Sequence, residues 1–106
     1  MKNIENNKLI AEFIDNRTTA ENLMFDFSWD WLMPVIDKIE VGLSNDQQEF
    51  RVVILEDEVS ITQKYRNGVL LKDFEVIVQV DSDGSTKLQN TYKAVVQFIN
   101  WYNKNE

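Results

Sequence analysis

The chain contains neither cysteine nor histidine, and only three glycines and one proline among its 106 residues. Each absence removes a class of chemistry. Without cysteine there are no disulfides and no thiolate metal sites, and the fold needs no oxidising compartment. Without histidine the chain lacks the commonest general base, the commonest metal ligand and the side chain that titrates nearest neutrality. A serine or threonine nucleophile has no imidazole to activate it, and three glycines are too few to build a phosphate-cradling loop. No run approaches the ~20 apolar residues of a membrane span. The polar start, Met1-Lys2-Asn3-Ile4-Glu5-Asn6-Asn7-Lys8, has no apolar stretch of signal-peptide length. These absences predict a soluble cytoplasmic protein with no cofactor, no metal and no membrane partner.

What is present is acid and hydrophobe. Eighteen Asp and Glu outnumber eleven Lys and Arg, giving a formal charge of −7. That field repels phosphate backbones, so direct nucleic-acid binding is not expected, whereas a basic protein surface would be attracted. A hydrophobic content of 43% with 11% aromatics is ordinary for a globular chain. The length suits one domain over residues 1–106, with the polar residues 1–7 expected to fray.

Leu9, Ile10, Phe13 and Ile14 form a stripe that predicts a short helix over 8–15. Leu23 to Phe27 reads as a short segment that packs. Ser28 is placed to cap a helix, with Asp30 in its first turn. Pro34 would remove an amide from a helix begun at Trp29. The expectation is therefore a distinct turn over 28–33, or a kink, with regular helix from Pro34 to Gly42 or Ser44-Asn45-Asp46. Thr86 and Gln89 fit a capping box that opens a final helix running to about Tyr102.

Between these lie strands. Phe50 to Leu55 is β-branched and apolar, and Glu58 to Gln63 alternates. A two-residue turn at Glu56-Asp57 would set Ile54 beside Val59 and Val52 beside Ile61. Asn67-Gly68 is a strong hairpin signal. A loop of those two residues pairs Arg66 with Val69, Ile61 with Phe74 and Val59 with Val76. The third strand, Leu70 to Val80, is long enough to hold a bulge. The fold class is α+β: a three-stranded antiparallel meander with two or three helices packed on it.

No motif here carries catalysis. Asp81-x-Asp83-Gly84 resembles the start of a calcium loop, but a strand precedes it and Leu88 and Gln89 stand where ligands are needed, so it reads as a turn. Glu56-Asp57-Glu58 reads as a solvated hairpin tip. The binding or interface candidates are the cluster Trp29, Asp30 and Trp31, and a second stripe on the last helix, Ala94, Phe98 and Trp101. That stripe is turned away from the core line of Leu88, Tyr92, Val95, Val96 and Ile99. It implies either burial on two sides within one chain or a contact in a homo-oligomer.

The blocks Lys8-Leu9-Ile10-Ala11-Glu12-Phe13, Ser28-Trp29-Asp30-Trp31-Leu32-Met33-Pro34-Val35-Ile36-Asp37-Lys38-Ile39-Glu40 and Tyr92 to Asn103 resemble a group of short uncharacterised proteins of bacteriophages and prophages, especially of Bacteroidetes-type bacteria. More weakly, the layout resembles the phage ABA-sandwich domain, in which helices flank a small antiparallel sheet. The resemblance implies a mobile-element setting in a bacterial cytoplasm and no reaction. The leading expectation is a small non-enzymatic accessory protein that works by binding, as a homo-oligomer. Such a protein would inhibit host defence by blocking a host protein or sequestering a small ligand. One alternative is an acidic nucleic-acid mimic that fills a basic groove with Glu56, Asp57, Glu58, Asp81 and Asp83. Another is a small enzyme, which would need a pocket with converging acids.

Overall fold

The computed structural model describes residues 2–15, 23–45, 48–67, 70–71 and 75–105. The elements are helix α1 (Lys2–Phe13), helix α2 (Trp29–Asp37), strands β1 (Gln48–Ile54), β2 (Glu58–Asn67), β3 (Leu70–Leu71) and β4 (Glu75–Asp81), and helix α3 (Lys87–Asn105). The fold is the α+β arrangement expected. Strand β2 lies between β1 on one side and β3 and β4 on the other, all antiparallel, so the third lane of the meander is an interrupted strand.

The β1–β2 hairpin follows the expected register: Ile54 opposes Val59 and Val52 opposes Ile61, closed by Leu55 N–H donating to Glu58 O at 2.8 Å. The second hairpin departs from it. Its innermost pairs are Asn67 with Leu70 and Arg66 with Leu71, two positions beyond the expected partner Val69, and Gly68 and Val69 lie outside the described residues. Further along, Ile61 opposes Val78 rather than Phe74, and Val59 opposes Val80 rather than Val76. A bulge between Ile61 and Thr62, where Ile77 is the extra residue on β4, supplies one position of that four-residue displacement, the rest arising nearer the hairpin turn. One extra residue reverses the alternation, so Val76, expected on the core face, sits opposite Thr62 and is 58% exposed, while Val78 and Val80 are buried. Phe74 is outside the described residues.

Among the described residues, one face of the sheet is covered. Phe50, Val59, Ile61, Val78 and Val80 are buried beneath helix, while Glu49, Arg51, Gln79 and Asp81 on the other face meet water. Helix α3 lies on that covered face and itself carries α1 and α2, so it is walled on two sides. Phe98 marks the centre. Its ring meets Phe50 of the sheet at 5.3 Å and Phe13 of α1 at 6.4 Å, both edge-on, with Trp101 and Tyr102 at 5.8 and 6.0 Å.

Two helix starts differ from expectation. α1 begins at Lys2, so residues 2–7 are helical rather than frayed, and the reason is Asn7, a buried polar residue that ties the helix to the rest of the chain. α2 starts at Trp29 with Pro34 inside it, because the Ser28 carbonyl accepts from Trp31 and Leu32 N–H and nucleates the turn before the proline. Ser28 stands at the capping position, yet its hydroxyl makes no capping bond. Beyond Asp37 the helix widens to π geometry over Lys38–Gly42. α3 opens with the capping box as read: Thr86 N–H donates to Gln89 Oε1 at 2.9 Å, and Gln89 N–H donates to Thr86 Oγ1 at 3.1 Å.

Lys38 ties α1 to α2. Its ammonium donates to the carbonyl of Phe13, at the negative end of α1, and sits 4.6 Å from the Phe13 ring centroid. The chain leaves α1 through Asp15, whose positive φ of 56° is a left-handed conformation that aspartate tolerates better than most residues.

Candidate functional site

The two sequence-predicted clusters have different fates. Ala94 and Phe98 are fully buried within the single chain, Phe98 against Phe50 and Phe13, so they offer no surface to a second copy. Of the two explanations for that stripe, burial on both sides within the chain is the one observed. Trp101 is half-buried at the edge of the same aromatic group, 6.3 Å from Phe50.

The cluster at the head of α2 stays in part at the surface. Leu32, Val35, Ile36 and Ile39 form the buried face of the helix. Trp31 leans on the buried ring of Phe25, edge-on at 5.3 Å, and with Ile14, Asp30 and Pro34 it lines a shallow hollow of about 270 Å³. Trp29 is 36% exposed, and Met33, one turn further on, is 43% exposed. Residues four apart on a helix are surface neighbours. The chain enters this helix by a turn closed by Phe27 N–H donating to Met24 O at 3.3 Å. Leu23 and Phe25 of that segment go into the core, while Phe27 is left 61% exposed. Asp30 and Asp37, both exposed, flank the Trp29–Met33 stripe.

A second site, not signalled in the sequence, is a cleft of about 450 Å³ between α1, the turn over 23–27 and α3. From α3 come Gln89, Tyr92, Lys93, Val96 and Gln97; Asn6, Asp26 and Ser85 complete the lining. Two of its lining residues, Tyr92 and Asp26, belong to a polar relay centred on the buried Asn7. Tyr92 donates from its hydroxyl to Asn7 Oδ1 at 3.0 Å, and Asn7 Nδ2 donates to Asp26 Oδ1 at 3.3 Å and Leu23 O at 3.4 Å. Burial first, and the Asp26 carboxylate second, push the Tyr92 phenol well above its ordinary 10.0, so it stays protonated. Asp26 is the one carboxylate among the cleft's lining residues, so no pair of acids converges there. Asn7 and Tyr92 are 85 positions apart, and nothing local in either segment announces their meeting.

The acids fall at one end of the sheet. Glu58 and Asp81 are opposed across β2 and β4, and Ser82 N–H donates to Asp57 O at 2.8 Å, bringing Glu56-Asp57-Glu58 beside Asp81 and Asp83. Asp81-x-Asp83-Gly84 is a turn from strand to helix, with Gly84 at a φ of 101°. Asp83 accepts from Ser85 Oγ at 2.7 Å, a bond that, with the nearby Lys93 ammonium, holds its carboxyl below the usual range. Among the described residues no three acids gather closely enough to hold a metal ion, and no helix is long and apolar enough to cross a membrane. The chain matches no protein-family model, no curated protein and no solved structure.

Proposed function

We propose that the chain is a small non-enzymatic accessory protein that acts by binding another protein through the head of α2, in the phage or prophage setting that its tryptophan–proline block resembles. The observation that carries this reading is the exposed apolar shelf of Phe27, Trp29 and Met33 on a chain that seals most of its other large hydrophobes. Aromatic side chains left at a surface are the usual anchors of an interface.

Charge selects the partner. Asp30 and Asp37 rim the shelf and the whole chain carries −7, so the complementary surface has an apolar centre and a basic margin. A second copy meeting the same shelf would oppose like charges, which makes a homo-oligomer the weaker occupant. Blocking a host defence protein in the bacterial cytoplasm is the form of action this supports.

The test uses an amphipathic helical peptide with leucine on one face and lysine on the other. Binding that is lost in the Phe27→Ser/Met33→Ser double variant, and absent for a leucine–glutamate peptide, is the expected result. Equal binding of both peptides, or none, refutes the reading, and dimers in sedimentation that the double variant abolishes would assign the shelf to self-association instead.

A second reading has its own observation: the five carboxylates Glu56, Asp57, Glu58, Asp81 and Asp83 gathered at one sheet end, which suit occupation of a basic groove as a nucleic-acid mimic. Competition with DNA for a basic groove, reduced by Glu58→Gln with Asp81→Asn, is its signature.

A further inference from the structure

We propose that the outer edge of β4 takes a short extended segment of another protein as an added antiparallel strand, with basic and apolar side chains in alternation. The two edges of the sheet are built differently. In an antiparallel ladder, successive residues direct their backbone groups to opposite sides. On β1 the outward amides are those of Gln48, Phe50 and Val52, and each donates to a side chain, Asn45, Ser44 and Glu40 in turn. On β4 the bond from Ser82 N–H to Asp57 O at 2.8 Å sets the alternation. With Val80 paired to Val59 and Val78 to Ile61, the amides of Gln79 and Asp81 point away from the sheet. Among the described residues neither amide has an acceptor. Unpaired edge groups of this kind are the template for strand addition.

The side chains along this edge define what can be added. Gln79 and Asp81 stand on the open face of the sheet, and Asp81 is opposed across the ladder by Glu58. Like charges in directly opposed positions repel. The bond that Asp81 accepts from Gln79 Nε2 at 3.2 Å is to a neutral amide and leaves the charge in place. Among the described residues neither Glu58 nor Asp81 has an ion-pair partner. A lysine or arginine opposite Asp81 on an added strand lies on the same face and relieves that repulsion. Its neighbours in the strand turn to the other face, beside the buried Val78 and Val80, where apolar side chains belong. A second copy is the poorer occupant, because pairing β4 with itself about Val78 sets Glu75 against the other chain's Asp81. The bulge at Ile77 interrupts the edge, so the regular stretch is residues 78–81, which suits a short linear segment rather than a long strand.

This edge shares no residue with Phe27, Trp29 and Met33, so its failure leaves the α2 reading untouched. The probe is a capped peptide of alternating lysine and valine, titrated into isotope-labelled protein and followed by amide NMR. The Gln79 and Asp81 amides should exchange rapidly in the protein alone, shift on titration and become protected, while those of Gln48, Phe50 and Val52 stay protected throughout. A peptide methylated on its lysine nitrogens, which face β4, should bind roughly tenfold to a hundredfold more weakly, whereas methylation of the valine nitrogens spares binding. Gln79→Pro removes one outward amide and leaves the β2 ladder intact, a position where an edge strand tolerates proline. It should weaken the peptide roughly tenfold. Asp81→Lys should turn the preference toward a glutamate–valine peptide, which keeps the test intact should the proline variant fold poorly. The Phe27→Ser/Met33→Ser variant should bind as the parent does. No binding overturns the assignment, as do equal affinities for the two methylated peptides. Gln79 and Asp81 amides already protected in the protein alone would do so too. Dimers in sedimentation that Gln79→Pro abolishes would give the edge to self-pairing and overturn the choice of partner.

Discussion

The Tyr92 hydroxyl reaches across the core to Asn7 at 3.0 Å, and both side chains are buried. Removing the hydroxyl leaves Asn7 Oδ1 short of a donor away from water. Tyr92→Phe should therefore cost about 1–3 kcal/mol of unfolding free energy, read by denaturant titration. The same tyrosine sets an alkaline limit. Its folded pKa is raised above the ordinary 10.0, so the unfolded chain loses that proton first. Its stabilising share is complete below about pH 10 and falls as pH rises beyond it. The decline with pH should be shallower in Tyr92→Phe, and an identical slope in the two proteins would remove Tyr92 as its source. Asn90 behaves oppositely. It is fully buried on α3, and neither atom of its amide group has a hydrogen-bond partner among the described residues. Asn90→Leu should raise stability by about 1 kcal/mol, since it removes an unsatisfied amide from the core. At this scale the sequence is legible where partners are close. Thr86 and Gln89 are three positions apart and were readable as a cap, whereas Asn7 and Asp26 join Tyr92 only through the packing of α1 on α3.

Elements show how one irregularity serves another. The π-helical widening over Lys38–Gly42 sets Glu40 and Ser44 against the outer edge of β1. Glu40 Oε2 accepts from Val52 N–H at 2.9 Å, and Ser44 Oγ accepts from Phe50 N–H at 3.0 Å, while Asn45 Oδ1 takes Gln48 N–H at 3.1 Å. Three successive outward amides of the edge strand are thus satisfied by side chains. An edge with paired amides is a poor template for another strand. The Glu40→Ala/Ser44→Ala variant should lose about 2–4 kcal/mol, at about 1–2 for each edge bond, and should aggregate faster on mild heating, followed by light scattering. Unaltered aggregation would show that the edge is protected by other means. The register of the third lane was legible only in part. The two-residue turn at Glu56-Asp57 sets the β1–β2 pairing locally, but the bulge at Ile77 has no glycine or proline to mark its place, so the outward turn of Val76 is visible only in the fold. Pro34 was a misleading cue for a related reason. The helix is begun upstream by the Ser28 carbonyl, and the packing of Leu32, Val35 and Ile36 outweighs one missing bond.

At the scale of the molecule, α3 is packed on two sides within one continuous core, and Phe98 is where its packing on the sheet meets its packing on α1. A large cavity there would disrupt both, so Phe98→Ala should cost about 3–5 kcal/mol. The width of the apolar band on α3 was visible in the sequence, and its cover, Phe13 and Phe50, was not, because both come from distant segments. With that band enclosed, Phe27, Trp29 and Met33 are the exposed apolar residues at the head of α2, while Ile4, Val41, Leu55 and Val76 are exposed elsewhere. Trp29 can report on the head of α2 directly. In a Trp31→Phe/Trp101→Phe variant the remaining indole should emit at long wavelength and be quenched readily by acrylamide. Addition of the leucine–lysine peptide should shift the emission to the blue and protect it. An indole already blue-shifted and protected in the protein alone, or one that the peptide leaves unchanged, would contradict the account.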